Sequence, residues 1–239
     1  MVYVGVDACK AGWFAVMITE EAYCKVDVFP DISSLWNQCK DARLILIDMP
    51  IGLWESNSDE RACDREARKL LGPKRGSSVF PVPCRDAVYA SAEEASEINK
   101  RKTGRRLSQQ VLAIIPKIKQ VDQLLTSNKT ARKRIKEIHP EICFWAFTDG
   151  RPMIHSKKRG KGFSERMEVL LSIYPHTREI VDYTLQKYLR REVAKDDILD
   201  ALVAAVTASK EGQGLSTIPE NPGKDSKGLA MEMVYFIKP

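Results

Sequence analysis

No run of ~18 apolar residues occurs anywhere in this chain, which excludes a membrane-spanning helix of ordinary length. The N-terminus shows no basic leader followed by an apolar stretch; it enters a strand-like segment directly, and the expected location is the cytoplasm. No C-x-x-C pair occurs among the six cysteines, at positions 9, 24, 39, 63, 84 and 143. That spacing suggests neither a zinc site nor a dense disulfide framework, so the cysteines read as reduced thiols. Internal repeats and low-complexity tracts are absent too. Acids are nearly missing from one window, because between Lys100 and Lys136 twelve Lys or Arg stand against one acid, Asp122. Phosphate contacts need clustered bases of this kind, so nucleic acid is the expected partner of the segment 100–136, the plainer alternative being a solvated helix face.

What is present is an ordinary globular balance of 44% apolar and 29% charged residues over 239 positions, enough for one sizeable core. We therefore expect a single domain over 1–239. The segment 2–7 is a β-branched and aromatic run ending in Asp7, and 13–19 and 23–29 read as two further strands, the three forming an antiparallel meander. A short helix over 32–39 leads into 44–48, apolar up to Asp48 as in a strand covered on both faces.

A largely helical insertion is expected over about 49–135. Within it Leu107, Val111, Ile114, Ile118, Val121 and Leu125 form one stripe of an amphipathic helix, with a kink or break predicted at Pro116. A fifth strand is read over 135–144, with His139 and Glu141 on one face; Pro140 makes it an edge or irregular strand. A polar, basic loop over 151–161 is expected to be mobile. Helices follow over 164–173, 178–189 and 195–210, and a last strand over 231–237.

Asp7 and Asp48 each end a strand, and ligand sites in open α/β sheets gather at such carboxyl ends. Asp197 and Asp200 are three apart on the last helix and share a face. Together with Glu141, these acids would repel one another unless cations neutralised them. Hard oxygen ligands suit Mg²⁺ or Mn²⁺, and two such ions can activate water and stabilise a leaving oxygen at phosphorus. The plainer alternative is a set of turn and helix-cap carboxylates. Arg61, Arg65, Arg68, Lys74 and Arg75, with Gly72, Gly76, Ser77 and Ser78, read either as a phosphate-gripping element or as a solvated helix end. Cys63 reads as a small buried thiol, and His139 as a partner to a carboxylate or an ordinary imidazole.

Gly5-Val-Asp7 with Ala11-Gly-Trp13, Ile47-Asp-Met-Pro-Ile-Gly52, Cys63-Asp64 with Ala67-Arg68, and Gly72 with Ser77-Ser-Val-Phe80 resemble a family described as ribonuclease H-like nucleases, domain of unknown function 429. Ser108-Gln109, Ile115-Pro-Lys-Ile118, Val121-Asp122, His139-Pro-Glu141 and Asp196-Asp-Ile-Leu-Asp200 extend the resemblance over nearly the whole chain. The resemblance implies an α/β ribonuclease H-like fold, with antiparallel strands 1–3 followed by parallel strands 4 and 5, flanking helices and an acidic site.

The reaction expected from these features is phosphodiester hydrolysis of DNA or RNA, dependent on Mg²⁺ or Mn²⁺ at a two-metal site of Asp7, Asp48, Glu141, Asp197 and Asp200. Two alternatives stand beside it. One is a phosphotransferase or ATPase of the actin and sugar-kinase superfold, which fits poorly with one 239-residue chain lacking a clear adenosine motif. The other is a non-catalytic nucleic-acid-binding protein, against which the unused repulsion of five acids argues.

Overall fold

The structure is a computed structural model, and it describes residues 1–20, 24–55, 60–157 and 159–237. Five strands form the main sheet: β1 (Val2–Cys9), β2 (Gly12–Thr19), β3 (Cys24–Phe29), β4 (Leu44–Ile47) and β5 (Ile135–Glu137). Their order is β3-β2-β1-β4-β5, antiparallel across β3-β2-β1 and parallel across β1-β4-β5. This is the expected mixed α/β arrangement; Tyr23, the first residue of the expected third strand, lies outside the described residues. Gly12 closes the β1-β2 hairpin at φ 144°, and a Cβ there would stand 2.0 Å from the Phe29 carbonyl oxygen.

Ten helices surround the sheet among the described residues. They are α1 (Ile32–Cys39), α2 (Ala62–Arg75), α3 (Arg85–Tyr89), α4 (Ala95–Thr103), α5 (Gln109–Ser127), α6 (Lys129–Arg134), α7 (Pro140–Phe147), α8 (Gly160–Ile173), α9 (Thr177–Lys187) and α10 (Lys195–Ala208). A two-stranded antiparallel ribbon of β6 (Ser216–Ile218) and β7 (Met233–Tyr235) completes the fold, β7 being shorter than the strand expected over 231–237.

Alternation along the strands sends side chains to two separate cores. On one face Val4, Val6, Trp13, Ala15 and Ile45 pack with Leu35 of α1 and with Ile118, Val121 and Leu125 of α5. On the other, Phe14, Val16, Ile18 and Leu46 pack with Phe144 of α7, Leu170 of α8 and Leu199, Leu202 and Val206 of α10. Helix α5 thus belongs to the body of the fold although it lies in the insertion. It runs through Pro116 without the break expected there. The lost backbone bond is local, whereas Ile115, Ile118 and Val121 are all buried around it.

The fifth strand is the main correction to the sequence reading. It ends at Glu137, and Pro140, Glu141 and the residues to Phe147 form α7 instead of continuing the sheet. Pro140 occupies the first turn of that helix, where its missing N–H costs nothing and its fixed φ suits a helix start. Ile138 and Ile142, four residues apart, share a face in a strand and in a helix alike, so their spacing does not separate the two, and the proline marks the boundary.

Candidate metal centre

Helix α10 reaches the sheet through glycine. A Cβ on Gly5 of β1 would lie 2.1 Å from both the Ala201 carbonyl oxygen and the Ala205 amide nitrogen, so helix and strand touch backbone to backbone. The small residues Ala201, Ala204 and Ala205 allow the same approach from the helix side. Asp200 is thereby carried to Asp7, near the end of β1, and to Asp48, directly after β4. Carboxylate oxygens of Asp7, Asp48 and Asp200 all lie within 4.8 Å of one another.

These acids are held in a way that disfavours their charge. Burial, and then the neighbouring Asp48 and Asp200, push the Asp7 carboxyl well above the usual range. Asp48 is pushed up to about 8 by burial and by Asp200. Asp200 is raised by burial, although the Lys157 ammonium, hydrogen-bonded to its Oδ2, opposes the shift. Asp200 Oδ1 is buried with no hydrogen-bond partner. An orphaned carboxylate oxygen inside three convergent acids costs free energy unless something positive meets it, and a hard cation is what this donor set fits.

Of the five acids read from the sequence, Asp7, Asp48 and Asp200 form this triad. Asp197 lies beside it with one oxygen spent on helix capping, as Oδ2 accepts from the Ala194 amide at 2.8 Å. Its carboxyl is pushed up to about 6, chiefly by burial. Glu141 reaches the edge of the cluster from the first turn of α7: Oε1 accepts from Arg166 Nη2 and Oε2 is buried without a partner. The acid that does end β5, Glu137, faces elsewhere. Its carboxylate takes two bonds from Arg61, 2.8 Å from Nη1 and 2.7 Å from Nη2, and one from the Ile51 amide at 2.6 Å.

Asp7 and Asp48 of the triad open onto a cleft of about 490 Å³, which Glu141, Asp197, Arg75, Ser77, Ser78 and Lys157 also line. Three of the seven residues read as a phosphate grip therefore reach it. Ser77 and Ser78 are exposed there in a 3₁₀ turn, and Arg75 donates to the Met153 and Ile154 carbonyls at 2.8 Å. Arg65 and Lys74 are exposed outside the cleft, and Arg68 is drawn to Glu60 and the Val79 carbonyl. Arg61 is 2% exposed, with its guanidinium divided among Asp64, Glu137 and the Ile51 carbonyl, so it ties α2 to the ends of β4 and β5. His139 lines the cleft with Nδ1 buried and unpartnered, and burial lowers its pKa to about 4, leaving a neutral ring.

Lys157, Arg166 and Glu137 escape a reading of the sequence. Lys157 is one cation among several in a basic loop, and nothing in the spacing marks which of them turns inward. The basic segment 100–136 is more dispersed than its composition suggests. Lys102, Arg105, Arg106 and Lys136 pair with Asp86, Glu60, Glu97 and Glu232, and Lys117, Arg132 and Arg134 donate to backbone carbonyls. Asp122, the single acid of that window, is spent on Arg85 at 2.7 Å. Arg132, Lys133 and Arg134 precede β5, at the end of the sheet opposite the triad.

A family model described as a protein of unknown function, DUF429, matches residues 5–224. No curated protein and no solved structure matches the chain.

Proposed function

The chain belongs to the DUF429 family, and we propose that it is a divalent-metal-dependent phosphodiesterase acting on nucleic acid. One observation carries this reading: the carboxylates of Asp7, Asp48 and the fully buried Asp200 lie within 4.8 Å of one another, and Asp7 and Asp48 open onto a cleft that Arg75, Ser77, Ser78 and Lys157 also line. Acids repel a phosphate and bases attract it, so a lining of both signs serves one anionic ligand only when a cation neutralises the acids. Asp7, Asp48 and Asp200 would hold Mg²⁺ or Mn²⁺, with Glu141 and Asp197 beside them. When bound, such an ion polarises the phosphoryl oxygen and lowers the pKa of water.

The chain's own groups supply the rest. Arg75 Nη1 and the Ser77 hydroxyl offer donors for non-bridging phosphate oxygens, while the Ser78 hydroxyl donates to the Arg75 carbonyl at 2.7 Å. Asp197, held near 6 with Oδ1 outside the capping bond, is suited to exchanging a proton with water or with the leaving ester oxygen near neutral pH. The cleft has the volume of an ordinary small-ligand site, which suits a nucleotide-sized piece of a polymer. The bases of the segment 100–136 would then act at a distance from the reacting phosphate, as a contact for the rest of the nucleic acid.

The test is cleavage of labelled single-stranded, duplex and branched DNA and RNA with Mg²⁺, with Mn²⁺ and with EDTA. Metal-dependent cleavage that disappears in Asp48→Asn is the expected result. Hydrolysis of ATP without cleavage of any of these substrates would transfer the site to the phosphotransferase reading.

A further inference from the structure

Resting on the metal reading above, we propose that the Lys157 ammonium fills the place of one of the two cations expected at the acidic cluster, so that the site takes one divalent ion. Lys157 Nζ is bonded to Asp200 Oδ2 and interacts electrostatically with Asp7 and Asp48 as well. Three carboxylates carry three negative charges when ionised. An ammonium and one divalent ion bring that sum to zero, whereas an ammonium and two divalent ions would leave a positive excess in a buried pocket, where charge is most expensive.

The position of Lys157 is built into the fold. Its loop is gripped from both sides immediately before it: Arg75 donates to the Met153 and Ile154 carbonyls at 2.8 Å, and Glu165 accepts from the Ile154 and His155 amides at 2.7 and 2.9 Å. Arg166, the partner of Glu141, also holds the His155 carbonyl at 3.0 Å. On helix α8, a Cβ at Gly162 would stand 2.1 Å from the Ser156 carbonyl oxygen and 3.0 Å from the Lys157 amide nitrogen. The absence of a side chain at Gly162 therefore lets the loop seat against the helix and aim Lys157 inward.

The ammonium leaves one ion's worth of ligands. Asp200 offers its second oxygen, buried and unpartnered; Asp7 and Asp48 lie within reach of the same point, and Glu141 Oε2 is buried without a partner at its edge. Lys157 also lines the cleft, so its charge faces a bound phosphate from the place where a second ion would otherwise stand. A lysine does this without being lost to chelators.

Equilibrium titration with Mn²⁺, read by electron paramagnetic resonance of the free ion at neutral pH, tests the assignment. The parent protein should take one ion per chain. Lys157→Met keeps the length of the side chain and removes its charge; it should bind the first ion at least about tenfold more tightly and take up a second. Lys157→Arg, which keeps the charge, should stay at one. Gly162→Ala, which retains the lysine but pushes its loop off the helix, should move toward the Met variant and serves in its place if that variant does not fold. Two ions in the parent, or a Met variant with the count and affinity of the parent, would overturn the proposal while leaving the metal site itself intact. Failure of every variant and of the parent to bind Mn²⁺ would remove the metal reading and this inference together.

Discussion

Gly5 and Ala201 meet backbone to backbone, and that contact sets the distance between the strand that carries Asp7 and the helix that carries Asp200. Glycine is required at this point for lack of space, not for an unusual φ, since the clash of an added Cβ is with main-chain atoms that have no rotamer to change. The acidic triad is thus a product of backbone-to-backbone packing between helix and strand.

Gly5→Ala should therefore disturb structure and site together. The helix must move away from β1, at a cost of about 1–3 kcal/mol for overpacking a close-packed core. Thermal melting should fall accordingly, and Mn²⁺ affinity should fall with it. A variant that melts lower but binds Mn²⁺ as tightly as the parent would show that the triad does not depend on this contact.

Asp7→Asn and Asp200→Asn should behave in the opposite sense. Both side chains keep their shape and lose a charge that burial disfavours; neighbouring acids add to this at Asp7, whereas at Asp200 the Lys157 ammonium opposes it, so the gain should be the smaller there. The metal-free variants should melt at the same temperature as the parent or higher, a gain of about 1 kcal/mol corresponding to roughly 2–4 °C for a chain of this size. Asp7 Oδ1 accepts from the Ala8 amide at 2.7 Å, a bond that the Asn oxygen can keep. Added Mg²⁺ should raise the melting temperature of the parent and do so much less in either variant. A clear drop in both, with no effect of Mg²⁺ on the parent, would make these acids structural.

The same repulsion gives a pH dependence of definite sign. Asp48, raised to about 8, binds a proton more readily folded than unfolded, so its contribution is complete at low pH and is lost as pH rises from the ordinary carboxylate range through about 8. Glu137, raised to about 7 by burial against the opposing pull of Arg61, adds in the same direction. His139, lowered to about 4, acts oppositely, but only as pH falls below its unfolded value near 6.5. Between pH 6.5 and 8.5 the metal-free protein should therefore lose stability as pH rises, and Asp48→Asn should flatten the slope. Mg²⁺ must displace those protons, so its stabilising effect should be larger at pH 8.5 than at pH 6.5. Denaturant melts at the two values, with and without Mg²⁺, measure both effects.

Arg61 should prove structural. Arg61→Met strands Glu137 and Asp64, 3% and 1% exposed, without their cation, and losing one partner of a buried ion pair costs about 3–5 kcal/mol. Adding Glu137→Gln to Arg61→Met should recover part of the loss, which circular dichroism melts will show. A stable Arg61→Met protein with weakened nucleic-acid binding would return this residue to the phosphate grip.

The sheet was legible because its signals are local. Alternation in β3, the wholly apolar β4 and the acids at the ends of β1 and β4 follow from how a pleated strand is covered. Asp197 and Asp200 were readable from a three-residue spacing that puts both on one helix face. What escaped depends on contacts far apart in sequence. Lys157 lies 43 residues from Asp200, and Arg61 lies 76 from Glu137, so neither pairing leaves a periodic trace. The fifth strand is overextended in the sequence reading because Ile138 and Ile142, four residues apart, share a face in a strand and in a helix alike, and Pro140 alone argues for the helix. The charge excess between Lys100 and Lys136 was correctly counted, but composition cannot say that Glu60, Asp86, Glu97 and Glu232 come from elsewhere to meet it.

The hydrogen bond from the Ile51 amide to the Glu137 carboxylate, 2.6 Å long, joins residues 86 apart and brings the long helical excursion back to the point it left. Entropically, the excursion is a closed loop whose ends are pinned by the fold. The cost of closing such a loop grows only with the logarithm of its length, about 0.6 kcal/mol for each doubling. Residues added at its exposed turns, such as the one around Ser91 between α3 and α4, therefore change a small term and leave both pinned ends in register. The excursion is the part of this chain best able to absorb extra length, or a fused reporter, without displacing Asp48 or Glu141.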